Sequence, residues 1–311
     1  MAELSRSGTV CAGRLPAAPA MNLSITPLHP LFVGEVNAID LRNPLDDAGV
    51  EAIVQACDRY AVLVFRDQAL NDEQQIAFSA RLGPLETTIR KLRPGHQLRL
   101  DPHVSDISNL DHNGELLPRE DRRRMYSLGD RLWHTDSSFK PVTAKYSLLS
   151  ARAIPATGGQ TQFADLRAAY DALPDPIKQQ LAGLVAEHSI LYSRSTIGFT
   201  DFSDEERAAL PPVPQVLVRV HPGSKRKTLY LASHAMSIHG MPVPEARLLL
   251  KELMDHATLP QFVYTHRWRL GDLLMWDDRC TMHRARPFDP AERRDMHRTT
   301  VSDVASTLAQ N

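Results

Sequence analysis

His134 and Asp136 stand two residues apart in the run "LWHTDSSF", Leu132 to Phe139. The run opens on Leu132 and Trp133, apolar residues that suit a buried strand. In a strand, residues i and i+2 project from one face, so the imidazole and the carboxylate are expected to converge. One ring nitrogen and one carboxylate oxygen on a common face make half of a metal site. A carboxylate beside two histidines, with the other positions left open, is the facial triad of non-haem Fe(II) oxygenases. A hydrogen-bonded His–Asp pair inside a core accounts for the same two residues without a metal. Of the 13 histidines, only His134 is followed two residues later by Asp or Glu.

A third ligand is expected from a strand remote in sequence, because closing a barrel brings distant strands together. The candidate is His283, in "MWDDRCTMHRARPF" after the strand-like "DLLMW". Taken alone, a histidine such as His283 is more often a satisfied polar residue than a ligand. Beyond it the chain turns cationic in "AERRDMHRTTV". Arg294 and Arg298 there can each clamp a carboxylate through two parallel hydrogen bonds. Surface salt bridges are the competing assignment for both. Other chemistries lack their motifs: there is no HExxH, GxSxG, GxGxxG or GxxxxGK[ST]. The one Gly-Gly pair, in "ATGGQT" (Ala156–Thr161), reads as a hairpin turn.

The elements that must position these residues are legible in part. Asp46–Tyr60 has helical spacing with Asp46 or Asp47 as its cap, and "AVLVFRD" follows as a buried strand. Asn71 and Gln74 make a capping box that opens the helix "NDEQQIAFSARLG", which Gly83-Pro84 stops. Residues 87–129 read as irregular, either a lid over the site or a surface insertion. "ADLRAAYDALP", "DPIKQQLAGLVAEH" and "PEARLLLKELMDHA" read as helices. "YSLLSARAI", "QTQFADL", "QVLVRVHP", "KTLYLAS", "FVYTHRW", "DLLMWDD" and "MHRTTV" read as strands. Many short strands with a few outer helices predict a mainly β fold, a jelly-roll barrel with flanking helices.

Lys plus Arg number 36 and Asp plus Glu 37, so no global charge argues for nucleic acid or an anionic membrane surface. "REDRRR" (Arg119–Arg124) mixes signs and reads as a solvated loop. Cys11, Cys57 and Cys280 are scattered without a CxxC, which predicts a reducing, cytoplasmic setting with no disulfide framework or structural zinc. No apolar run is long enough for a membrane span. Residues 1–22 read as a disordered leader, with Met21 an alternative start, residues 23–303 as one domain and 304–311 as a tail.

The order H-x-D, distal His, then Arg is similar to the taurine dioxygenase superfamily, the Fe(II)/2-oxoglutarate-dependent dioxygenases with a double-stranded β-helix core. The segments that carry the likeness are "PLHPLF", "DEQQIAFSARLGPLE", "DISN", "LWHTDSSF", "GGQTQFADLRAAYDALP", "FVYTHRW" and "GDLLMWDDRCTMHR". They run from about Leu23 to Asp303, and within the superfamily they look like its aryloxyacetate-oxidising branch. The resemblance implies iron ligation by His134, Asp136 and His283, with Arg294 and Thr161 gripping 2-oxoglutarate. It places Arg298, Lys91 and His234 at the carboxylate or sulfonate of a small anionic, aromatic substrate. It implies Fe(II), 2-oxoglutarate and O2, with ascorbate supporting activity, and hydroxylation next to an ether oxygen that yields a phenol, glyoxylate, succinate and CO2. A sulfonate such as taurine is the alternative substrate on the same scaffold, a non-catalytic jelly-roll binding protein is the alternative class, and a homo-oligomer is compatible with either. One departure stands out: "WDDR" places Asp278 where the family usually has Asn in "WDNR".

Overall fold

The computed structural model describes residues 23–92 and 97–310. The expected leader, Met21 and Cys11 lie outside the described residues. The chain is mainly β with helices on its outer faces. Seven strands form one sheet in the order β1 (Ser24–Pro27), β2 (Gly34–Asn37), β3 (Val62–Phe65), β13 (Leu273–Asp277), β5 (Ala144–Ala153), β15 (Asp295–Ser302), β4 (Val104–Asp106). All neighbours are antiparallel except β2 and β3. A second sheet has β6 (Thr161–Asp165) between β12 (Val263–His266) and β14 (Thr281–Ala285). Two smaller sheets pair β7 (Val185–His188) with β8 (Val213–Val216) and β11 (Ala235–Ile238), and β9 (Val218–Val220) with β10 (Lys227–Leu229).

Period-two alternation sorts the large sheet's side chains into two cores. Val62, Val64, Leu149, Leu274, Trp276 and Met296 face the second sheet, where they meet Phe163 of β6. Leu63, Phe65, Tyr146, Leu148, Leu273 and Met275 face outward under the helices Asp47–Tyr60 and Asp72–Ala80, packing with Ile53, Cys57 and Phe78. Both faces of β3 and β13 are therefore covered, which is why "VLVF" and "LLMW" are continuously apolar. The outer side of the second sheet, Ala164 and Met282, packs with Ala246, Leu250 and Leu253 of the helix Val243–Ala257. The predicted caps are present: Asp46 accepts from the Gly49 N–H, and Asn71 and Gln74 cap reciprocally. Among the described residues no helix is long and apolar enough to cross a membrane, and Cys57 and Cys280 are free and buried.

Four expectations fail, each for a local reason. "LWHTDSSF" is not a strand: His134 makes one isolated bridge to His283, and the chain then turns, with Ser137 at φ +52°. "DPIKQQLAGLVAEH" is helical only over Asp175–Leu181. Gly183, at φ +76°, ends it and releases Val185–His188 as a strand. "ATGGQT" is no hairpin, because it carries the chain from the large sheet to the second one. A Cβ at Gly158 would lie 2.4 Å from the Pro287 carbonyl oxygen. Residues 87–129 contain the 3-10 helix Ile89–Leu92, β4 and the helix Arg122–Ser127. That helix absorbs the second half of "REDRRR": Asp121 caps it, and Arg122 pairs with Glu206.

Candidate metal and anion site

The site lies between the two sheets, at the bridge between His134 and His283. Their backbones exchange N–H···O bonds of 3.0 and 2.8 Å, which brings the ring centroids to 4.2 Å. His134 Nδ1 is 2.8 Å from the Leu132 carbonyl oxygen. A carbonyl only accepts, so Nδ1 carries the proton and Nε2 keeps a lone pair. The His283 ring is held by packing instead, with Trp276 at 4.7 Å and Phe163 at 6.0 Å between centroids.

Asp136 completes the group. Its oxygens are 3.9 Å from His134 Nε2 and 3.7 Å from His283 Nε2. These separations are too long for hydrogen bonds, yet they fit donors around one ion with bonds of about 2.1 Å. One donor atom from each of the three residues lies within 4.8 Å of the others, and all three residues are buried. Burial pushes both imidazoles toward the neutral form. Burial opposes the charged Asp136 too, but Arg298 and the imidazoles outweigh it and hold its pKa down. Two neutral nitrogens and one anionic oxygen are the donor set a ferrous ion takes, so the residues fit the metal.

Ser147, an inward residue of β5, donates to Asp136 Oδ2 at 2.8 Å, and Arg298 donates to Oδ1. The Asp136 N–H and the Trp276 indole N–H both donate to Asp278 Oδ1, at 3.1 and 3.0 Å. Among the described residues Asp278 Oδ2 is buried without a geometric hydrogen-bond partner, and burial with the nearby Asp136 charge raises the pKa of this carboxyl.

Arg294 is 5% exposed and forms no ion pair among the described residues. Its Nη1 donates to the Ile107 carbonyl at 3.1 Å, and its backbone N–H donates to Asn109 Oδ1 at 2.9 Å. Burial brings its pKa down to about 10. Asp130 lines the same pocket as Arg294 but forms no ion pair with it, and a buried guanidinium without a direct ion pair has room for an anionic ligand. Thr161 lies on the same inward face of the second sheet as His283, and its Oγ1 accepts from the Trp268 indole at 3.0 Å.

Arg298, expected at the anionic group of the substrate, donates to Asp136 in this structure. It still lines a cavity of about 80 Å³ with His134, Asp136 and His234. His234 meets Ser138 Oγ through Nδ1 at 2.9 Å, while its buried Nε2 has no partner among the described residues. The Lys91 side chain lies outside the described residues, although Ile89 of the same 3-10 helix reaches the cavity. Sequence reasoning missed Ser147, Tyr126 and Arg194. Ser147 carried a signal, a hydroxyl on the inward side of an otherwise apolar run. Arg194 carried none, because its partner Asp130 and the Tyr126 ring beneath it, 4.6 Å away, are fixed by tertiary packing.

A second cluster, His221, Asp277 and Cys280, is already satisfied by protein groups. His221 bonds Asp277 at 2.8 Å and accepts from the Ser224 N–H, while Arg279 grips Asp277.

Comparison with known proteins agrees with this geometry. The family described as taurine catabolism dioxygenase TauD, TfdA family matches residues 24–300. The chain is 46% identical over 285 residues to an alpha-ketoglutarate-dependent 2,4-dichlorophenoxyacetate dioxygenase of Cupriavidus pinatubonensis, covering 92% of this chain and 99% of that one. It is 40% identical over 294 residues to an (S)-phenoxypropionate/alpha-ketoglutarate-dioxygenase of Sphingobium herbicidovorans, covering 92% and 97%. The crystal structure of AAD-2 in complex with Mn(II) and N-oxalylglycine superposes with a TM-score of 0.85 at 49% identity, covering 92% and 99%. The chain with this buried His-Asp-His group belongs to the TauD, TfdA family of dioxygenases.

Proposed function

We propose that this chain is an Fe(II)- and 2-oxoglutarate-dependent dioxygenase that hydroxylates an aryloxyalkanoate, such as 2,4-dichlorophenoxyacetate, next to its ether oxygen. The observation that carries the reading is the convergence of His134, Asp136 and His283 on one buried point. In this reading those three hold Fe(II), and the two facing sheets form a double-stranded β-helix around it. Bound together, the iron, 2-oxoglutarate and O2 supply the oxidant, and ascorbate keeps the metal ferrous in vitro.

The chain's own residues bind and orient. Arg294 and Thr161 grip the distal carboxylate of 2-oxoglutarate, which gives the buried guanidinium a direct anionic partner. Ser147 and Arg298 fix Asp136 so that a chosen oxygen faces the metal. Charge then favours an anionic substrate. A divalent metal, a dianionic cosubstrate, Asp136 and the two arginines leave one positive charge, which a substrate carboxylate neutralises. Arg298, His234 and Lys91 are its proposed partners. Residues of the 87–129 segment, Tyr126 among them, wall the cavity and keep water from the reacting carbon. A single cytoplasmic domain over residues 23–303 completes the proposal.

The test is product analysis with Fe(II), ascorbate and 2-oxoglutarate. Phenoxyacetates are expected to release phenol and glyoxylate in step with succinate. Brisk succinate formation with taurine and no phenol from any phenoxyacetate would replace the substrate with a sulfonate.

A further inference from the structure

On the outer side of the wall that carries His134 lies a second, open groove of about 330 Å³. Its floor is apolar, made of Leu132, Ala235, Leu250 and Met254, and Trp133 and Tyr192 contribute aromatic surface. Its rim carries four cations, Arg131, Arg247, Lys251 and Arg284, and no carboxylate lines it. Lys251 pairs with Asp255. Arg131, Arg247 and Arg284 make no ion pair among the described residues. In a chain of formal charge −1, that is a local excess with no global cause.

Two of these arginines are held in place before any ligand arrives. The Arg284 guanidinium carbon sits 4.6 Å over the Trp133 ring, and Arg284 Nε donates to Gln162 Oε1 at 2.8 Å. The Arg247 guanidinium carbon sits 5.0 Å over the Tyr192 ring. Stacking fixes each plane while its edge keeps N–H donors for a carboxylate. An apolar floor, aromatic walls and preset guanidinium forks together match a flat aromatic body with one anionic end.

The groove also shares a thin wall with the metal site. Trp133 lines the groove while the next residue, His134, faces the inner cavity; Ser233 and His234 divide in the same way. The Ser233 N–H donates to the Trp133 carbonyl at 2.8 Å, joining the two segments.

We infer that this groove is a second binding site, for a small aryl carboxylate, separate from the iron site. The inference stands on the groove's own residues and holds whichever substrate the iron site takes. The probe is 2-naphthoate, which has no ether carbon to hydroxylate. It is titrated calorimetrically into the full chain and into Arg247→Glu, Lys251→Glu and Arg284→Gln. Arg247 and Lys251 lie on the exposed side of the helix Val243–Ala257, so their variants are expected to fold, as circular dichroism would verify. Loss of one charge-assisted contact is expected to weaken binding by about tenfold or more in the arginine variants. Binding that is equally tight in the parent and in Arg247→Glu would place the naphthoate elsewhere and overturn the inference. No binding up to about 10 mM, weaker than the millimolar range, would overturn it as well.

Discussion

Asp136 is tied down at three points, and each constrains it differently. Ser147 and Arg298 occupy one lone pair on each carboxylate oxygen, and Asp278 holds its backbone N–H. Asp278 is the costly member. Its Oδ1 accepts two N–H groups, but its Oδ2 is buried without a geometric hydrogen-bond partner among the described residues and is close to another carboxylate. In Asp278→Asn the amide oxygen keeps both accepted bonds, and the amide nitrogen gains the chance to donate to Ser147 Oγ. The interior no longer has to hold a second carboxyl beside the Asp136 charge. The expected outcome is a gain of about 1 kcal/mol, the scale of one buried hydrogen bond, read as a higher midpoint in urea. A lower midpoint would mean that the second carboxylate is itself holding the site together. The metal candidates were legible because an imidazole and a carboxylate interrupt an apolar run, although the strand invoked to align them is absent. A turn through Ser137 does the aligning, and nothing in "HTDSS" announces it. The effect of Asp278 was not legible, because it depends on which side chains surround it.

At the scale of elements, β15 is the strand that matters, because it carries Arg298 inward and follows directly on Arg294. Its outward residues fasten it to the helix Asp72–Ala80. His297 Nδ1 bonds Asp72, Thr299 Oγ1 bonds Ser79 at 2.6 Å, and Gln75 donates to the His297 carbonyl at 3.0 Å. His297 Nε2 also lies 3.3 Å from Asp295 Oδ1, off the line of a hydrogen bond but close enough for charge attraction. Burial disfavours the charged imidazole, but Asp295 and Asp72 outweigh it and raise its pKa. A raised pKa means that the folded state holds this proton more tightly than the unfolded chain. The stabilisation is therefore complete below the ordinary histidine pKa and is lost as pH rises through the raised value. Unfolding free energy is expected to fall as pH rises above the ordinary histidine pKa, and His297→Gln is expected to remove much of that slope. The variant should cost about 2 kcal/mol at pH 6, as for a hydrogen bond to a charged group. An unchanged slope would assign the pH dependence to other groups. The helix itself was readable from its capping box, and β15 from "MHRTTV". The strand Val185–His188 was not, because helical spacing runs on through "LAGLVAEH" and only the left-handed Gly183 ends it.

Over the whole molecule, the two sheets converge on a pocket whose charges do not balance in the protein alone. Among the described residues Arg294 forms no ion pair, and His283 Nδ1, His234 Nε2 and Arg298 Nε are buried without hydrogen-bond partners. A structure that keeps such groups buried gives up stability at the site, which its proper ligands restore. Ligands that bind only the folded state must then raise stability by linkage, about 2.7 kcal/mol at a hundredfold excess over Kd. For a chain of this size that corresponds to a rise in Tm of about 4 °C. Mn(II) with N-oxalylglycine is expected to produce it, measured by calorimetry without turnover. Asp136→Ala should lose the response to both ligands while remaining folded. Arg294→Gln should keep the response to Mn(II) and lose the increment from N-oxalylglycine. The pattern separates the metal from the cosubstrate, because the two assignments rest on different residues from different parts of the chain. A full Mn(II) response in Asp136→Ala would remove the His-Asp-His centre. An N-oxalylglycine increment that survives in Arg294→Gln would leave the centre standing and move the cosubstrate's carboxylate to another cation.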